Sequence, residues 1–148
     1  MNLSIHRCRK SKSDVLLDAF LDDALEYLTP PDTGDLRLDL LAHASSLASF
    51  LTQTDAGSVF GALAGQAQHD ESVADRFRKD YLGQQRELDR LPFERAIKRG
   101  DLDPTIDIEL AVDQLVGPIY YRVFVTGEAV DGEFTTALVS AFLGRRAR

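Results

Sequence analysis

Residues 107–127 read Asp107-Ile108-Glu109-Leu110-Ala111-Val112-Asp113-Gln114-Leu115-Val116-Gly117-Pro118-Ile119-Tyr120-Tyr121-Arg122-Val123-Phe124-Val125-Thr126-Gly127. Asp107 can cap a helix that Gly127 ends. Its apolar positions wrap well beyond one stripe, which predicts burial on two sides. A second helix starts at Asp131, with Phe134, Ala137, Leu138, Ala141 and Phe142 at i, i+3, i+4, i+7 and i+8. Arg145, Arg146 and Arg148 close the chain where a helix dipole favours cations. Two adjacent apolar helices offer more surface than one small core absorbs. Either a second copy covers the surplus across a two-fold axis, or the earlier helices cover both faces of a monomer.

Working back from this pair, Asp103-Pro104 marks a turn, and Gly100 closes a long charged segment from about residue 70. Pro92 sits inside that segment and predicts a kink or short break. Val59 to Gly65 form a short helix of small residues, able to admit a close backbone neighbour or to leave space unfilled. Before it, residues 35–54 carry Leu36, Leu40, Leu41, Ala44, Leu47, Ala48 and Leu51 on one face. Thr29-Pro30-Pro31-Asp32-Thr33-Gly34 is a helix breaker. The first helix starts at Ser11, with Asp14 as a capping-box partner. Asp14, Asp18, Asp22 and Glu26 make one narrow wet stripe on it, so the rest of its circumference is expected to be covered. No strand alternation with hairpin turns appears. The expected fold is all-α, a bundle of about six helices.

Composition fits one ordinary globular domain: 148 residues, 44% hydrophobic and 28% charged. No apolar run approaches the ~18–20 residues of a membrane span. The start lacks the apolar stretch of a secretory signal, and the single cysteine, Cys8, cannot form an internal disulfide. A cytoplasmic location is expected. Residues 1–12 carry Arg7, Arg9, Lys10 and Lys12 with no acid, while the remaining 136 hold 13 Lys and Arg against 24 Asp and Glu. The acidic body repels a phosphate backbone, so nucleic-acid contact would fall to the basic stub, unless its charges are simply solvated.

Catalytic constellations are missing. His6, His43 and His69 are scattered without a second ligand at i+4, so no metal site and no cofactor are expected. Gly57, Gly61 and Gly65 have helical spacing rather than that of a phosphate loop, and no Gly-x-Ser-x-Gly elbow occurs. Tyr120-Tyr121 reads as core with hydroxyls seeking partners, and Asp22-Asp23 as a solvated pair.

Two stretches carry a resemblance. One is Pro31-Asp32-Thr33-Gly34-Asp35-Leu36-Arg37 before an apolar helix. The other is Arg95-Ala96-Ile97-Lys98-Arg99-Gly100-Asp101-Leu102, followed by Leu115-Val116-Gly117-Pro118-Ile119-Tyr120-Tyr121-Arg122 and Val125-Thr126-Gly127-Glu128. In this order they resemble the C-terminal regulatory domain of TetR-type transcriptional repressors, over about residues 11–148. Ser4 to Leu17 resembles that family's junction between recognition helix and linking helix. Ile5, Arg7, Ser11 and Lys12 match its pattern, while His6, Arg9 and Lys10 depart from it.

The resemblance implies residues 13–148 as a ligand-binding and dimerisation domain, and residues 1–12 as a remnant of the helix-turn-helix, with His6, Arg7 and Lys12 its DNA-binding vestige. Twelve residues cannot supply the three-helix core that presents a recognition helix. DNA is therefore expected as a partner only where a complete helix-turn-helix exists. A homodimer is expected through the last two helices as a four-helix bundle, using Val116, Ile119, Val123 and Phe134 with Ala137, Leu138, Ala141 and Phe142. A small hydrophobic effector would sit between linking and central helices. Its candidate lining is Phe20, Tyr27, Phe60 and Leu63, then Phe77, Tyr81, Tyr120 and Phe124. Alternatives are a dominant-negative or ligand-sequestering partner of full-length relatives, and, with least support, a helical-bundle enzyme.

Overall fold

The computed structural model describes residues 12–144. Its order is α1 (Lys12–Leu28), α2 (Leu36–Gln53), α3 (Asp55–Ala67), α4 (Glu71–Arg76), a π-helical segment (Phe77–Leu82), α5 (Gly83–Arg99), α6 (Ile108–Tyr121), a second π-helical segment (Arg122–Thr126) and α7 (Gly132–Gly144). With α4, the first π segment and α5 as one rod, and the second π segment extending α6, the described residues form six helical rods and no strand.

Short polar side chains set the starts. Asp35 accepts from Leu38 N–H, Asp107 from Leu110 N–H and Asp131 from Phe134 N–H, each at 2.9–3.1 Å, satisfying donors left orphaned at a helix N-terminus. Thr54 closes α2 and opens α3: its hydroxyl donates to the Phe50 carbonyl at 2.7 Å and accepts from Gly57 N–H at 2.9 Å. At the end of α5, Gly100 adopts φ +83° and Asp101 N–H returns to the Ala96 carbonyl at 2.8 Å, a Schellman closure.

The two sequence stretches that carried the resemblance meet in space. The Arg95 guanidinium donates to the Pro30 and Pro31 carbonyls at 3.3 and 3.1 Å, and lies 3.7 Å from the Asp32 carboxylate. The α1–α2 turn is thus tied to the last turns of α5.

At the centre lies α2, packed against α1, α3, α5, α6 and α7. It buries Leu40, Ala44, Leu47 and Phe50 against Phe93, Val112, Leu115 and Ile119 from α5 and α6. Two expectations change here. α5 runs through Pro92 to Arg99 without a break, and the departures from α geometry fall at the π segments instead. Among the described residues of the first helix, Ala24 and Leu28 are buried where α1 packs on α2, α3 and α5, while Val15, 55% exposed, is less covered than the narrow wet stripe implied.

Candidate functional site

Both π segments converge on one aromatic cluster. A π turn inserts one extra residue and re-aims the side chains that follow it, and such turns concentrate at functional sites. Gly83 N–H bonds to the Arg78 carbonyl, and Gly127 N–H to the Arg122 carbonyl at 2.7 Å, the i to i+5 pattern in each case. The first segment carries Phe77 and Tyr81; the second carries Phe124, one turn after Tyr120. Phe60 on α3 stands between them, with ring centroids 5.2 Å from Phe77, 4.8 Å from Tyr81 and 5.7 Å from both Tyr120 and Phe124. Gly61 beside it admits the Phe124 ring: a Cβ there would lie 3.2 Å from its Cε1.

Of the eight candidate pocket residues, these five are brought together. Leu63 is half-buried against the core on the same helix as Phe60. Tyr27 goes elsewhere. It packs on Phe50 at 5.9 Å over a separate surface groove of about 370 Å³, whose lip carries Asp23 and Glu26. The Phe20 side chain lies outside what the structure describes.

The cluster has a polar end that the sequence reading missed. His43 Nε2 lies 2.7 Å from Asp89 Oδ1, and Gln85 Nε2 donates to the same oxygen at 2.9 Å. His43 is 1% exposed and Asp89 2%. Phe77, Tyr81, Gln85 and Asp89 recur at i, i+4, i+8 and i+12 along one buried stripe, aromatic for two turns and then polar for two. That spacing was the available signal, hidden within a segment that is charged elsewhere.

Burial, then the nearby Asp89 charge, pushes the Tyr81 phenol well up, against the effect of a hydrogen bond with Tyr120. Burial, then Tyr81 and Asp89, raises Tyr120 as well. A folded-state phenol raised above its unfolded value of ~10 stabilises the chain below pH ~10, and that contribution is lost as pH rises further. The sequence has four tyrosines and no tryptophan, so absorbance near 295 nm reads phenolate alone. Part of the phenolate signal is expected to be withheld until alkaline unfolding, and Tyr81→Phe to shrink the withheld part. A full phenolate signal from folded protein would refute this.

Burial divides the candidate seam residues. Val116, Ile119 and Phe142 lie in the chain's own core, Phe142 against Phe93 at 5.6 Å. Val123, Phe134 and Leu138 are half-buried, while Ala137 and Ala141 are exposed. On α6 and its π extension the exposed apolar residues of the outward side are Leu110, Tyr121 and Val125, at 50%, 59% and 68%, with Gly117 half-buried and the polar Asp113 and Gln114 exposed between them. A helix apolar on two sides does not say which face its own core takes. Of the remnant residues, Lys12 is exposed at the start of α1, and His6 and Arg7 lie outside the described residues.

Among the described residues no group of three or more His, Cys, Asp or Glu could hold a metal, and no helix is long and apolar enough to cross a membrane.

Comparison with known proteins matches residues 30–142 to the family described as "Tetracyclin repressor-like, C-terminal domain". The HTH-type transcriptional regulator YdeS of Bacillus subtilis is 36% identical over 145 residues, 97% of this chain and 73% of its own length. An HTH-type transcriptional regulator of Mycobacterium tuberculosis is 22% identical over 136 residues, 92% of this chain and 66% of its own. The crystal structure of the TetR family transcription regulator SCO0332 matches with a TM-score of 0.86 at 34% identity, over 97% of this chain and 79% of that one.

Proposed function

The chain belongs to the TetR family of transcription regulators through its C-terminal domain, and we propose that these 148 residues form an effector-binding and dimerisation unit that carries the regulatory rather than the DNA-reading role. Members of this family regulate transcription and are not enzymes. The observation that carries the effector reading is the meeting of two π segments at one aromatic cluster, with Tyr81, Tyr120 and Asp89 at its polar end. A ligand site of this kind is apolar with a few placed polar groups. The effector is a small, largely hydrophobic molecule, and cytoplasmic residence is part of the same proposal.

Dimerisation rests on the outward stripe of α6 and its π extension beside Ala137 and Ala141 of α7. Solvent-facing Tyr121 and Val125 in one row are costly on a lone small domain and natural at a two-fold seam.

Binding is tested by a thermal-shift screen of hydrophobic aromatic compounds on the intact chain. A ligand at a hundredfold excess over its Kd stabilises by about 2.7 kcal/mol, or roughly 5–11 °C at this size. Phe60→Leu, which removes the ring shared by four aromatic contacts, is expected to abolish that shift in a folded protein. A shift of the same size in Phe60→Leu would move the site elsewhere.

A further inference from the structure

Away from the aromatic cluster, the groove beside Tyr27 sets negative charge against an aromatic wall. Its volume is about 370 Å³, and α1, the end of α2 and the first turn of α3 build it. Asp23, Glu26 and Tyr27 fall at i, i+3 and i+4, so one face of α1 presents both carboxylates and the ring together. Phe50, 1% exposed, backs Tyr27 at 5.9 Å and leaves the phenol ring 43% exposed over the groove. Ala56 adds apolar floor, and the Thr54 hydroxyl is engaged by the Phe50 carbonyl and the Gly57 N–H. No Lys, Arg or His is among the described residues that line the groove.

The charge around it is one-sided. Between Lys12 and Arg76 the chain carries twelve Asp and Glu against a single Lys or Arg, Arg37, which donates to Ser140 on α7. Among the described residues neither Asp23 nor Glu26 has an ion-pair partner. Glu26 also lies in the last turn of α1, where the helix dipole is negative and no basic residue stands. A metal ion fits poorly, because a hard cation needs a fuller set of oxygen ligands and no group of three or more is described. An organic cation needs no such set, and its apolar surface is attracted to the face of an aromatic ring.

We infer that this groove is a second binding site, for a small organic cation: a quaternary ammonium or protonated amine carried on an apolar body. Asp23 and Glu26 hold the charge, the open face of Tyr27 takes the apolar flank, and Phe50 is a positioning residue that keeps the Tyr27 ring in place. The site is separate from the rings around Phe60 and stands whether or not those rings take an effector.

Proton NMR titration of the intact chain with benzyltrimethylammonium, and with benzyl alcohol, which keeps the ring and lacks the charge, tests this. The cation is expected to bind about tenfold more tightly, its N-methyl resonance moving upfield as an aromatic face shields it. Asp23→Asn combined with Glu26→Gln should weaken it about fivefold. Tyr27→Leu should weaken it about threefold, while Tyr27→Phe, which keeps the π face, stays near wild type. These side chains are at the surface, so the variants keep the fold. Phe60→Leu should leave the titration unchanged, and loss of binding there would place the cation at the other cluster. Displacement by an equal concentration of Mg²⁺ would mean that charge alone is read and would overturn the proposal. A triarginine peptide that binds more tightly than the small cation would make the groove a docking face for a basic protein segment instead. Wild-type affinity in the double variant, or no binding of benzyltrimethylammonium at millimolar concentration, overturns the site outright.

Discussion

Tyr121→Asp combined with Val125→Asp is expected to halve the particle mass measured by light scattering, from twice 16.4 kDa to 16.4 kDa, while the helical circular dichroism stays intact. Both side chains face solvent in the single chain, so a charge at either position costs the folded protomer little. Across a two-fold seam each substitution occurs twice, and each carboxylate would be desolvated against an apolar surface. An unpaired buried charge costs on the order of 3–5 kcal/mol, so the pair outweighs the few kcal/mol by which a micromolar dimer persists at working concentration. Val116→Asp should behave differently. Its side chain is in the protomer's own core, so the expected result is loss of the fold, not a stable monomer. A double variant that keeps twice the mass would place the seam on another face.

The second large effect is at the α2–α3 corner. A Cβ on Gly57 would sit 1.9 Å from the Phe50 carbonyl oxygen and 2.9 Å from the Leu51 Cα, and these are backbone atoms that cannot swing aside. Thr54 grips the same carbonyl and the Gly57 N–H, so the corner cannot open without losing both bonds. Gly57→Ala is expected to cost about 3 kcal/mol, lowering the melting temperature by roughly 6–12 °C at this chain length. Gly65→Ala on the same helix meets nothing within 4 Å and should instead gain about 0.5–1 kcal/mol, the ordinary helical preference for alanine. Equilibrium denaturation of the pair separates the two glycines. A Gly57→Ala midpoint equal to wild type would show that the corner relaxes cheaply.

Helix starts and stops were legible because capping is a local affair: Asp35, Asp107 and Asp131 bond to backbone within three residues, and Gly100 and Gly127 adopt the left-handed conformation that residues with a Cβ avoid. The aromatic membership of the candidate site was legible in part, since Phe60, Phe77, Tyr81 and Tyr120 are large apolar residues on inward faces, while Phe124 meets Phe60 from a position that is 44% exposed. Tyr27 was not separable from them, because its helical spacing does not show that it packs on Phe50 at the surface, 43% exposed. His43 escaped notice for the same reason: its partner Asp89 lies 46 residues away, and no local pattern pairs them.

Pairing over distance is where local reading stops. The all-α class, the capped helices and the surplus of apolar surface on the last two of them follow from the sequence alone, because each depends on spacing within a few turns. Which side of residues 108–125 is core and which faces outward, where the helices slip into π geometry, and that a histidine and an aspartate share one buried bond were decided only by tertiary packing. A helix apolar on two sides satisfies its own periodicity either way round. The packing of α6 on α2, α5 and α7, which buries Val112, Leu115 and Ile119, leaves Tyr121 and Val125 outside.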